Sequence, residues 1–114
     1  MAAVNVLIID DNAILLQTIV NLVEELGFSA TGVRSVEDAK TRLEHDTFDI
    51  LLCDKNLGVG QSGVEFLSTD PAALPATLVL MSGEPRPSAL PARVSYLSKP
   101  FTITQLEELL LSAR

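Results

Sequence analysis

Residues 4–13 read VNVLIIDDNA, and the junction inside that stretch decides the fold. Val6 to Ile9 are four consecutive apolar residues. A continuous run of this kind suits a strand buried on both faces, as in a parallel sheet covered by helices. Asp10 and Asp11 follow it directly. Two like charges at the end of a buried strand repel each other and resist burial, so they call for something that neutralises them.

Working outward, the same habit recurs. "DILLC" (49–53), "TLVLM" (77–81) and "VSYL" (94–97) are short apolar runs, and a weaker strand is expected around Phe28 to Val33. Helical patterns lie between them. Leu15, Ile19, Leu22, Val23 and Leu26 share one face at helical spacing, and Gly27 provides a stop. "SVEDAKTRLEHD" opens on Ser35 with Asp38 three residues later, a capping-box variant, and Val36, Ala39 and Leu43 form its inner face. "TITQLEELLLSAR" opens with Thr102 and Gln105, a T-x-x-Q capping box. Strands alternating with helices predict an α/β chain with right-handed crossovers, folded as one domain over residues 1–114. Five strands in this length suggest a doubly wound sheet, which takes its ligand outside the carboxyl ends of the strands.

Composition bounds the function. The chain has 114 residues, 47% of them apolar and 20% charged, which is enough for a real core. Trp is absent and aromatics are few, so the core must be aliphatic. A net charge of −7 with no Lys/Arg cluster argues against direct binding of nucleic acid or of an anionic membrane surface. No apolar stretch reaches membrane-span length, so no membrane insertion is expected. Cys53 is the only cysteine, which rules out an intrachain disulfide and fits a reducing, cytoplasmic setting.

In a parallel sheet the carboxyl ends of all strands share one edge. Asp10 and Asp11 end the first strand, Asp54 the third, Ser82 the fourth and Lys99 the fifth. Groups scattered from position 10 to position 99 should therefore converge on one rim. Three carboxylates in one cleft call for a hard divalent cation such as Mg²⁺ (or Mn²⁺). A metal, an ammonium and a hydroxyl around one carboxylate make a phosphoryl-transfer site, with Asp54 attacking and the others neutralising the transferred oxygens. Taken singly, each residue also has a plain role. Asp10 or Asp11 could cap the following helix, Asp54 could be a turn residue, Ser82 before Gly83 could be a strand-to-loop turn, and Lys99 could be a solvated surface lysine. Their joint placement favours the site. Cys53 and Met81 read as core, and His45, in the polar "EHDT" with no second ligand nearby, reads as a solvated side chain.

The motifs "IIDDN", "LLCDKNL", "LMSG" and "YLSKPF", in this order and spacing, resemble the receiver domain of bacterial two-component response regulators, and the likeness spans essentially the whole chain. It implies a flavodoxin-like five-stranded sheet in the order 2-1-3-4-5, an order for which a receiver of this family is a standard example. It implies that Asp54 accepts a phosphoryl group from a histidine kinase or a histidine phosphotransfer protein. It implies that Asp10, Asp11, Asp54 and the backbone carbonyl of Asn56 hold Mg²⁺. Ser82 and Lys99 would contact the phosphoryl oxygens, Tyr96 would turn inward when Ser82 moves, and Asn56 and Glu84 would flank the path of the hydrolytic water. The Lys99–Pro100 peptide would be cis, and a downstream output domain or protein would read the switch.

Three departures stand out. Gly58 occupies the position where receivers usually have proline. The loop "NLGVGQSG" (56–63) is one residue longer than usual before Gly63. The segment between Ser82 and Lys99 is short and carries Pro85, Pro87 and Pro91, so the fourth helix is expected to be short or absent and residues 84–93 mostly loop. That segment is expected to be the least stable part of the domain. Two other classes are weaker. A haloacid dehalogenase-type hydrolase needs D-x-D after the first strand, which "DDNA" lacks. A pseudo-receiver scaffold would not need every chemical position filled. No P-loop pattern is present.

Overall fold

The computed structural model describes residues 4–57, 62–68, 74–88 and 90–112. Gly58 and half of the lengthened 56–63 loop (58–61) lie outside the described residues, as does most of the first Pro-rich stretch (71–75).

The strands are β1 (Asn5–Ile9), β2 (Ser29–Val33), β3 (Ile50–Asp54), β4 (Thr77–Ser82) and β5 (Val94–Ser98). The helices are α1 (Ala13–Glu25), α2 (Val36–His45), α3 (Gly63–Leu67) and α4 (Ile103–Ser112). All strand pairs are parallel, in the order β2-β1-β3-β4-β5. The doubly wound sheet expected from the apolar runs is therefore present, and β1 and β3 lie inside it.

Burial on both faces follows the alternation of side chains along a strand. Leu7, Ile9, Leu51, Cys53, Leu78 and Leu80 face one way, onto α2 and α3 through Val36, Ala39, Phe66 and Leu67. Val6, Ile8, Ile50, Leu52, Val79 and Met81 face the other, onto α1 and α4 through Leu16, Ile19, Val23, Leu106 and Leu110. Cys53 and Met81 are core, and His45 is exposed. The inner line of α1 is Leu16, Ile19 and Val23; Leu15, Leu22 and Leu26 are half-buried beside it. The expected stripe thus sits slightly to one side of the true contact line.

The helix ends explain why the connections are tight. Asn12 caps α1, its side-chain oxygen accepting from the N–H groups of Ile14 and Leu15. Neither acid of the DD pair takes that role. At the other end Gly27 adopts φ +93, Gly27 N–H bonds the Glu24 carbonyl, and Phe28 N–H bonds the Val23 carbonyl. That is a Schellman closure, whose left-handed residue suits glycine. Ser35 caps α2 through Asp38 N–H. The Thr102/Gln105 box is reciprocal: Gln105 Oε1 accepts from Thr102 N–H at 2.8 Å and Thr102 Oγ1 from Gln105 N–H at 3.1 Å.

Among the described residues no helix stands between β4 and β5, as the prolines predict. The segment is nevertheless tied down. Leu90 is buried and joins the α2/α3-side core. The Arg86 guanidinium donates to the carbonyls of Val94 at 2.8 Å and Pro91 at 3.0 Å.

Candidate functional site

The carboxyl ends of the strands bring the dispersed polar residues together. Asp10 follows β1 and is fully buried; its N–H bonds the Val33 carbonyl at the end of β2. One of its carboxylate oxygens accepts from Asn12 N–H at 2.9 Å, which fixes the side chain within the turn. Asp54 is the last residue of β3 and is buried. Asp11 is exposed, and the Arg34 guanidinium donates to its backbone carbonyl at 3.2 Å. Carboxylate oxygens of Asp10, Asp11 and Asp54 all lie within 4.8 Å of one another.

Lys99 spans two of these acids. Its Nζ lies 2.9 Å from Asp54 Oδ1 and 3.5 Å from Asp10 Oδ2. This ammonium supplies part of the neutralisation that the acid pair demands, but not all of it. Burial pushes the Asp54 carboxyl above the usual carboxylate range. The hydrogen bond and charge of Lys99 oppose the rise, and the charges of Asp10 and Asp11 add to it. Burial, with help from the charges of Asp54 and Asp10, pushes the Cys53 thiol up as well, so it stays protonated and inert beside the cluster. Three hard oxygen donors with an uncancelled excess of negative charge fit a small divalent cation better than a soft one.

Ser82 ends β4 and is buried. Its hydroxyl accepts from Glu84 N–H at 3.0 Å. Its carbonyl accepts twice, from Lys99 N–H at 2.8 Å and from the Tyr96 hydroxyl at 3.2 Å. Ser82, Tyr96 and Lys99 are therefore joined through one backbone oxygen. Tyr96 itself is half-buried. Asn56, two residues beyond Asp54, is exposed after the end of β3. Glu84 is also exposed and forms an ion pair with Lys55 at 3.1 Å. The Lys99–Pro100 peptide is cis.

Spacing along the chain did not reveal four residues that shape this rim. Lys55 ties the end of β3 to Glu84, Arg34 holds the Asp11 carbonyl, Arg86 clamps the proline segment, and Gly63 packs against Asp54. Each acts on a partner outside its own element, from five residues away for Arg86 on Pro91 to 29 for Lys55 on Glu84. Only Gly63 had a visible signal, as the glycine that closes the long loop.

The fold is a doubly wound parallel α/β module with an acidic cluster at the carboxyl edge of its sheet, and the comparisons give its family. The model of the response regulator receiver domain matches residues 6–111, and the chain belongs to that family, whose members serve as phosphoacceptors in two-component signalling. It is similar to a receiver domain from Methylobacillus flagellatus described as CheY-like, at 28% identity and a TM-score of 0.88 over 99% of this chain and 100% of that one. It shares the fold of chemotaxis protein CheY4 of Vibrio cholerae, at 21% identity and a TM-score of 0.85 over 99% and 100% of the two chains. The N-terminal domain of a response regulator/sensory box/GGDEF three-domain protein of Carboxydothermus hydrogenoformans also shares it, at 21% identity and a TM-score of 0.85 over 96% and 92%. No curated protein matches the chain. Among the described residues no helix is long and apolar enough to cross a membrane.

Proposed function

We propose that the chain is a single receiver domain whose phosphoacceptor is Asp54. The observation that carries this reading is the ion pair of 2.9 Å between Lys99 and Asp54, set among the Asp10 and Asp11 carboxylates. An oxygen of Asp54 attacks the phosphorus of a phosphohistidine on a kinase or phosphotransfer protein. The O–P bond forms as the N–P bond breaks, and the histidine nitrogen leaves with the electron pair. Lys99 and the Ser82 hydroxyl neutralise the oxygens of the transferred group. Asp10, Asp11, Asp54 and the Asn56 carbonyl would hold Mg²⁺ (or Mn²⁺), which when bound supplies charge neutralisation.

Once the group is on Asp54, the Ser82 hydroxyl has a new acceptor and leaves Glu84 N–H. Tyr96 shares the Ser82 carbonyl with Lys99, so it follows the change and alters the surface offered to an output domain or protein. Asn56 and Glu84 stand beside the water path and tune the lifetime of the acyl phosphate. The module acts in the cytoplasm, without nucleic acid or membrane as a direct partner.

The test is incubation with Mg²⁺ and a small phosphodonor. The expected product is an acid-stable, base-labile phosphate that Asp54→Asn abolishes while the fold persists. Labelling of the variant equal to wild type would place the acceptor elsewhere. An unlabelled wild type would leave an interaction scaffold.

A further inference from the structure

Helix α3 starts on the backbone of the candidate acceptor. Gly63, its first residue, donates its N–H to the Lys55 carbonyl at 3.1 Å. A methyl group on Gly63 would run into the Asp54 carbonyl oxygen, and it would lie 3.1 Å from both the Asp54 carbonyl carbon and Lys55 Cα. These are backbone atoms at the carboxyl end of the interior strand β3 and of the residue that follows it. Asp54 pairs in register with Met81, and Lys55 N–H bonds the Met81 carbonyl at 2.9 Å. They cannot turn aside as a side chain can.

Two other glycines set the contrast. A methyl on Gly32 would meet Val20 Cγ2 at 2.9 Å and Leu16 Cδ1 at 3.0 Å, both on side chains. A methyl on Gly83, next to Ser82, would meet nothing within 4 Å. Of these three positions, only Gly63 transmits added bulk straight to the Asp54 peptide.

We propose that Gly63 is a positioning residue for phosphoryl transfer. By lacking a side chain it lets the start of α3 rest on the Asp54 carbonyl, and this contact holds the Asp54 carboxylate within reach of Lys99, Asp10 and Asp11. The proposal rests on the reading of Asp54 as acceptor. Displacing the Asp54 backbone moves its carboxylate away from the Lys99 ammonium, and misplacing a reacting group by about 1 Å can slow a reaction by ~10²-fold.

The experiment labels the full chain with Mg²⁺ and a small acyl phosphate, with initial rates counted per folded molecule. The variants are Gly63→Ala, Gly32→Ala, Ser62→Ala and Asp54→Asn. Ser62 caps α3 by accepting from Glu65 N–H at 3.1 Å, so Ser62→Ala loosens the helix without adding bulk against Asp54. Gly63→Ala is expected to label at least about tenfold more slowly at saturating donor, with a shifted Lys55 amide resonance. Gly32→Ala and Ser62→Ala lose stability and label at the wild-type rate. Should Gly63→Ala be partly unfolded, an excluded osmolyte restores its folded population for the same comparison. A wild-type rate in Gly63→Ala overturns the proposal and leaves the acceptor standing, and so does an equal slowing in Ser62→Ala. Wild-type labelling of Asp54→Asn removes the acceptor reading and the proposal with it.

Discussion

The β1–α1 turn and the β4–β5 connection flank the same rim and are built in opposite ways. The first crosses from strand to helix in residues 10–12, with Asp10 accepting from Asn12 N–H and Asn12 capping α1. The second spends residues 83–93 on the crossing, includes Pro85, Pro87 and Pro91, and among its described residues contains no helix. Its place against the sheet is nonetheless kept, by Leu90 in the core and by the two bonds of Arg86. The difference teaches that a connection must deliver burial and satisfied carbonyls, and that a helix is only one way to do so. Proline removes the donors that would pair those carbonyls, and an arginine supplies replacements from its side chain.

Breaking the burial should give the largest effect. Leu90→Ala removes the apolar plug of the helix-less connection and is expected to cost about 2–4 kcal/mol in urea unfolding. The highly exposed Ile14 is the control, and Ile14→Ala should change stability by less than about 0.5 kcal/mol. Similar costs at both positions would mean that the connection is not anchored at Leu90.

The two turns should respond alike when their polar closures are cut. Asn12→Ala loses the α1 cap, and Arg86→Met loses both carbonyl bonds while keeping an apolar stem. Each is expected to cost about 1 kcal/mol. Hydrogen exchange sharpens the comparison. Amides of 49–53 and 77–81 should exchange much more slowly than those of the proline segment, and Arg86→Met should speed Leu90, whose N–H bonds the Pro87 carbonyl at 3.2 Å.

A smaller change is expected from Asp54→Asn, and its pH dependence carries the information. The folded carboxyl titrates above its unfolded value, so ionising it weakens the folded state. That penalty is complete above the raised folded value and absent below the unfolded one. The variant should therefore melt higher than wild type near neutral pH, and its advantage should vanish as pH falls through this window. An advantage that grew on acidification would reverse the sign of the site's electrostatics. The smallest effect belongs to Lys55→Met, which breaks the ion pair across the rim. Glu84 is largely exposed, so the expected cost is at most about 0.5 kcal/mol and should disappear in high salt.

Much of this architecture was legible because short-range chemistry specifies it. Continuous apolar runs marked the central strands, and glycine and T-x-x-Q signals marked helix ends. Edge strand β2 was harder: it runs Ser-Ala-Thr-Gly-Val, and only Val33 of it is buried. Helix α3 escaped notice because five residues are too few to show a helical period. The candidate acids, Ser82 and Lys99 could be grouped before any coordinates, since parallel strands must end on a common edge. The roles of Arg34, Lys55, Gly63 and Arg86 could not, because each depends on which loop lies against which. The α1 cap at Asn12 was not legible for a related reason. Three polar residues follow β1, and only the geometry shows that Asp10 turns inward while Asn12 faces the helix.

The chain holds a single tyrosine and no tryptophan. That tyrosine donates its hydroxyl to the Ser82 carbonyl, the oxygen that also receives Lys99 N–H. A phenol changes its near-ultraviolet absorption and emission when it gains or loses such an acceptor. The unmodified protein therefore carries its own optical gauge, with one dominant chromophore reporting on one oxygen at the rim. Addition of a cation, a phosphodonor or a partner can be followed by stopped flow without a dye, a tag or a substitution.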